Sequence, residues 1–226
     1  MDNLGHRPVL SLSSAGMRMT RDEFGKIDDY EEIYDYELVD GVLVVKPSLD
    51  FPGADLCEEV GYWLRKYGES HPQGAALDYT LYGVYVGNDV TYRRTHRAVW
   101  TGLGRLPQQD SDIPSIVIEF VQPGRRSFIA EYTRQWDEYF ALGVSEFWVF
   151  DRFRRQLTVF RQSADGPSQR ELGRNDNYTT SLLPGFELSL SRLWDRGDHW
   201  TLAEEEAEAA YQKRLDEFSP SAIYEH

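Results

Sequence analysis

The chain has 226 residues, 41% of them hydrophobic and 14% aromatic, with a formal net charge of −14. That length supports one substantial core with small appendages. The charge makes a poor long-range attractant for nucleic acid. The single cysteine, Cys57, excludes an internal disulfide and a multi-cysteine metal site. No apolar run approaches the roughly 20 residues of a membrane span. The N-terminal segment is too short and polar for a signal peptide, which points to a cytoplasmic protein without membrane attachment.

Residues 1–18 lack periodicity and read as a mobile leader. Thr20 with Glu23 forms a capping-box pattern that opens a short helix through about Ile27. Tyr34 to Leu38 and Val42 to Val45 flank Val39-Asp40-Gly41, the pattern of a hairpin, which puts Glu37 on a strand. From about Ala54 to Tyr67 the residues Leu56, Val60, Trp63, Leu64 and Tyr67 recur at helical spacing, and Cys57 falls among them as a core residue. Residues 75–100 alternate as two or three strands broken near Gly87-Asn88-Asp89.

A polar loop between Pro107 and Pro114 leads into the apolar strand Ile116-Val117-Ile118-Glu119-Phe120-Val121. An amphipathic helix ending at Gly143 and a second apolar strand, Glu146 to Asp151, follow, with a length that suits a crossover between neighbouring parallel strands. A hairpin from Leu157 and a short strand after Leu183-Pro184-Gly185-Phe186 complete a domain over 19–195. Thr201 with Glu204 reads as a second capping box, opening an acidic helical tail within 196–226 that runs to about Phe218.

A carboxylate inside an apolar strand costs several kcal/mol unless a cation, a metal or hydrogen bonds compensate it. Strand alternation puts Glu119 on one face with Val117 and Val121. On the following helix Phe128, Tyr132, Trp136, Tyr139 and Leu142 form an apolar stripe with Gln135 in its middle, so Gln135 points inward and Arg134 outward. The arginines fall into clusters: Arg93, Arg94 and Arg97; Arg125 and Arg126; Arg152, Arg154 and Arg155. They are either solvated faces that balance nearby acids or phosphate contacts along a groove, with Arg93 and Arg94 the better candidates for nucleic-acid binding. For His96 the plain reading is a partly exposed strand residue.

The segments Tyr36-Glu37-Leu38-Val39-Asp40-Gly41, Tyr92-Arg93-Arg94, Ile116 to Val121 with Pro123, Tyr139 to Asp151, and Leu183-Pro184-Gly185-Phe186 resemble, in order and spacing, the Uma-type putative restriction endonucleases, within the PD-(D/E)XK nuclease superfamily. The resemblance implies an α/β fold with a mixed sheet flanked by helices. It also implies metal-dependent DNA cleavage, with Mg²⁺ or Mn²⁺ held by acidic residues and a lysine that helps activate water. Carried over, it makes Glu37, His96 and Glu119 the metal set and adds Gln135 to the catalytic set. His96 stands where the family has its principal aspartate, Gln135 where it has lysine, Glu131 where an aspartate is common, and Gln122 where serine is frequent.

Imidazole is a weak ligand for Mg²⁺ and an amide supplies no positive charge, so the expectation is weak or absent cleavage. Three alternatives stand beside it. One is a retired nuclease fold that binds nucleic acid or protein, with homodimerisation through sheet edges or the last helix. The second is a softer-metal site for Mn²⁺ or Zn²⁺ at Glu37, His96 and Glu119. The third is that Glu119 is a buried carboxylate satisfied by backbone donors or an arginine, and Glu37 an ordinary hairpin residue.

Overall fold

The computed structural model describes residues 9–108, 111–122, 128–163, 166–200 and 203, with the side chains of 128–131 and 163 excepted. Arg125, Arg126, the Glu131 side chain and the tail helix expected from Thr201 fall outside these bounds, although residues 190–200 are already helical.

The helix α1 (Arg21–Phe24) starts at the Thr20 capping box, in which Thr20 and Glu23 satisfy each other's backbone N–H groups. β1 (Tyr34–Val39) and β2 (Val42–Pro47) form the hairpin, paired from Tyr34↔Pro47 to Val39↔Val42. Asp40 and Gly41 both take positive φ, 53° and 71°, as a tight turn of this kind requires. α2 (Phe51–Ser70) begins at Asp50, whose side chain accepts from the Gly53 N–H.

Four short strands follow, β3 (Leu77–Tyr82), β4 (Tyr85–Gly87), β5 (Tyr92–Arg94) and β6 (Arg97–Thr101). Then come β7 (Ile116–Phe120), α3 (Phe128–Leu142), β8 (Glu146–Asp151), β9 (Gln156–Ser163), β10 (Gly166–Leu172), β11 (Asn177–Thr179) and β12 (Glu187–Ser189).

These strands build a six-stranded sheet in the order β10-β9-β8-β7-β6-β3, a four-stranded sheet in the order β2-β1-β5-β4, and the pair β11-β12. Only β7 and β8 in the large sheet run parallel, joined by α3 as the spacing predicts; the other pairs are antiparallel. Ile116, Ile118, Phe120, Trp148 and Phe150 face a core shared with Leu56, Val60 and Leu64 of α2. The other face carries Val117, Val121, Phe147 and Val149 against Tyr132, Trp136 and Tyr139 of α3. Alternation along β7 therefore sends Glu119 to the α3 side.

The chain passes three times between the two sheets: from β2 through α2 to β3, out of β3 through Gly83 into β4, and back from β5 through Thr95 and His96 into β6. At the seam the Thr95 N–H donates to the Val84 carbonyl and the Gly83 N–H to the His96 carbonyl. Where absent periodicity suggested a leader up to residue 18, Leu10 is instead buried beside Tyr36, whose hydroxyl donates to the Leu10 carbonyl at 2.8 Å, and the Leu43 N–H donates to the Met17 carbonyl. A segment that docks through single side chains and isolated backbone bonds leaves no periodic signature.

Arg97 fixes the packing of α2. Its guanidinium is almost wholly buried, donating to the Cys57 carbonyl at 3.2 Å and Glu58 at 2.6 Å, and it occupies the space in front of Gly61. A Cβ at Gly61 would lie 2.4 Å from the Arg97 Cζ. Gly61→Ala should therefore destabilise the protein by at least about 1–3 kcal/mol in urea unfolding, the usual cost of overpacking, whereas Gly173→Ala, which meets nothing closer than 3.8 Å, should leave the midpoint unchanged.

Candidate functional site

Residues Glu37, Lys46 and Arg93 share one face of the small sheet for reasons of register. Glu37 pairs with Val44, so Lys46, two residues on, points to the same side and sits diagonally from it. Leu38 pairs with Tyr92 on the other neighbour, which places Arg93 across from Glu37. The two oxygens of Glu37 are divided between the cations: Oε1 lies 2.5 Å from Lys46 Nζ, and Oε2 accepts from Arg93 Nη1 at 3.1 Å. Arg93 reaches on to Glu138 of α3, donating through Nη2 at 3.0 Å and also through Nε. Arg134 bonds Glu138 in turn and the hairpin-turn residue Asp40 at 2.9 Å.

Glu119 and His96 meet beside this cluster. His96 Nδ1 lies 2.7 Å from Glu119 Oε2 and also accepts from the Phe120 backbone N–H at 2.8 Å. The β6–β7 ladder ends at Arg97↔Ile118, so the Phe120 N–H extends beyond it and the imidazole takes the place of a strand partner. One ring nitrogen thus faces a backbone donor and a carboxylate. It serves the first as an acceptor and the second only as a protonated donor, so the two contacts compete for it.

Glu37, Glu119, His96 and Lys46 are all buried, at 2%, 3%, 4% and 6% exposure. Burial opposes charge on Glu119 and Lys46, and the network reverses this for both. Burial pushes the Glu119 carboxyl up, but His96, Lys46 and Arg93 together hold it below the usual carboxylate range. Burial likewise pulls the Lys46 ammonium down, and Glu37 with Glu119 raises it above its ordinary value. The Tyr139 phenol is driven well up by burial and by both glutamates.

Tyr139 therefore feels the same carboxylates, and Gln135 lies one turn before it on α3, buried as expected, while Arg134 is exposed. Gln135 Oε1, Tyr139 Oη and His96 Nε2 are buried polar atoms without a hydrogen-bond partner among the described residues. Buried atoms of this kind ordinarily bind something polar. Gln122 is also buried, at the end of the β7 run.

The sequence-derived residues Glu37, His96 and Glu119 therefore gather around one cluster, with Gln135 on the buried stripe of the helix that covers it. Two expectations change. His96 is not a partly exposed strand residue but lies buried at the seam, because the chain must leave one sheet and enter the other there. Glu37 is not an ordinary hairpin residue but the centre of an ion-pair network. Sequence reasoning missed Lys46 altogether. Its signal was available: in a hairpin closed by Asp40-Gly41, Lys46 has the same phase as the residue opposite Glu37.

Arg93 is spent within this network, and Arg94 is partly exposed but bonded to Asp35 at 2.5 Å. Cys57 is no nucleophile: burial pushes its thiol up to about 12.

The residues fit a divalent ion poorly. Both Glu37 oxygens already contact cations, and Lys46 and Arg93 bring two positive charges to the two glutamates. Among the described residues no group of three or more His, Cys, Asp or Glu side chains is arranged to hold a metal.

Residues 21–191 match the profile of the Uma2 family, described as "Putative restriction endonuclease". The chain belongs to this family. No curated protein matches it. The fold resembles the crystal structure of a putative nuclease belonging to DUF820 from Anabaena variabilis, with a TM-score of 0.64 and 15% identity over 79% of this chain and 99% of that one. At that identity the likeness speaks to the fold, and it supports the nuclease-like α/β architecture read from the sequence.

Removing Glu37 would take from buried Lys46 the carboxylate it contacts, while Arg93 would keep Glu138. Glu37→Ala should cost about 3–5 kcal/mol in chemical denaturation, the range for breaking a buried ion pair from one side. The double variant Glu37→Leu/Lys46→Met should recover part of that loss.

Proposed function

We propose that this Uma2-family chain is a nuclease-fold protein that binds DNA and cleaves it weakly or not at all. The observation that carries this reading is the double engagement of Glu37 by Lys46 and Arg93, with Glu119 drawn to His96. Phosphodiester hydrolysis builds negative charge that a hard divalent cation normally neutralises while generating the attacking hydroxide. Here the carboxylates that would hold such an ion are already neutralised by fixed side-chain cations, and the aspartate and lysine of the family pattern are His96 and Gln135. The loss at the transition state is several kcal/mol, or several powers of ten in rate.

DNA is the ligand class the family suggests. With a net charge of −14, contact depends on local cations, and of the two candidate arginines Arg94, paired with Asp35, could reach a phosphate without breaking the buried Glu37 network.

Plasmid incubated with the protein and Mg²⁺ or Mn²⁺ should show no chelator-sensitive nicking. The same plasmid should be retarded in a gel at low ionic strength, and less so by Arg94→Ala. Chelator-sensitive nicking that disappears in Glu119→Ala would overturn the loss of cleavage. Absence of retardation at any salt concentration would shift the binding role from DNA to a protein partner.

A further inference from the structure

We propose that Lys46 is a built-in counter-ion that occupies the electrostatic place of a divalent cation and closes the buried carboxylate cluster to metal. This rests on the loss of cleavage argued above and names its physical agent. Nothing in the hairpin itself demands a lysine at this position. Its strand neighbours Val42, Leu43, Val44 and Val45 are apolar, and an ammonium buried beside them is costly unless it is paired.

The pairing with Glu37 is close, and the charge reaches further. Nζ lies 2.5 Å from Glu37 Oε1, and the charge also acts on Glu119, the glutamate held 2.7 Å from His96. A cation in contact with one inward carboxylate, and near enough to act on a second from the other sheet, does part of what a bridging metal would do for them. It favours the charged form of Glu119 against the cost of burial. A divalent ion entering there would meet an ammonium and the Arg93 guanidinium, and could bind only by displacing a lysine whose side chain is just 7% exposed. The buried atoms near the cluster without a hydrogen-bond partner among the described residues, His96 Nε2, Gln135 Oε1 and Tyr139 Oη, are a nitrogen, an amide oxygen and a phenol, which add no charge to attract Mg²⁺.

The test is Mn²⁺ titration of the full chain, following free Mn²⁺ by electron paramagnetic resonance and the thermal midpoint in parallel. The wild type is expected to take up no ion saturably in the millimolar range and to show no shift in midpoint. Lys46→Met, in which Glu37 keeps Arg93 as its partner, is expected to bind one Mn²⁺ per chain and to gain a metal-dependent rise in midpoint. Lys46→Arg, which keeps the charge, should stay silent.

Saturable uptake by the wild type that is lost in Glu119→Gln would overturn the proposal, as would a folded Lys46→Met that remains as silent as the wild type. Should Lys46→Met fail to fold, wild-type uptake alone decides. The two readings fail separately: a wild type that binds Mn²⁺ without nicking plasmid sinks only the role of Lys46, and one that nicks plasmid sinks the loss of cleavage.

Discussion

The ion pairs that hold Glu37 between Lys46 and Arg93 are the constraint on which the rest of the arrangement depends. They lie on the face of the small sheet that looks toward α3, and they continue through Glu138 and Arg134 back to Asp40 in the hairpin turn. A hairpin, a short strand at the crossing between the two sheets and the crossover helix are thereby joined by one chain of charges. Buried pairs of this kind add little net stability compared with apolar packing, yet removing one partner is expensive, so they define an arrangement more than they strengthen it. The seam between the sheets, where the chain passes through Thr95 and His96, needs that definition because its backbone ladder is interrupted there.

A third buried glutamate shows by contrast what a purely architectural carboxylate looks like in this fold. Glu146, at the start of β8, accepts from the Trp148 indole at 2.9 Å, Arg161 at 2.8 Å, and the hydroxyls of Tyr178 and Thr180 at 2.7 Å each. Its lone pairs are matched by donors from the surrounding strands, and it ties the β11–β12 region to the large sheet. The Glu37–Glu119 cluster differs in carrying two side-chain cations on one carboxylate, an imidazole claimed by two partners, and polar atoms left over on His96, Gln135 and Tyr139. Those features set it apart from a carboxylate matched by its neighbours, and the proposed loss of metal binding builds on them.

Much of this is legible in the sequence. The Thr20 capping box, the Asp40-Gly41 hairpin, α2 and the crossover from β7 to β8 each rest on local signals, such as a cap, a turn dipeptide or a hydrophobic period, and each is present, although α1 stops at Phe24 short of Ile27 and α2 runs beyond the periodic stretch at both ends, to Phe51 and Ser70. The inward direction of Gln135 and the sheet face of Glu119 followed from periodicity alone. What stayed hidden depends on contacts between segments far apart in the chain. The division of the strands into two sheets, the burial of His96 and the docking of Leu10 are decided by where the chain crosses from one layer to the other, which no local window contains. Lys46 lay in between: its phase could be read from the hairpin, but its importance became visible only once Arg93 and Glu119 were seen beside it.

The most direct test of the account is a crystal structure of the wild type grown or soaked with Mn²⁺, with anomalous scattering recorded at the manganese edge. The account predicts Lys46 Nζ in contact with Glu37 and no anomalous peak near Glu119. A peak ligated by Glu119, with the Lys46 side chain displaced from Glu37, would contradict it.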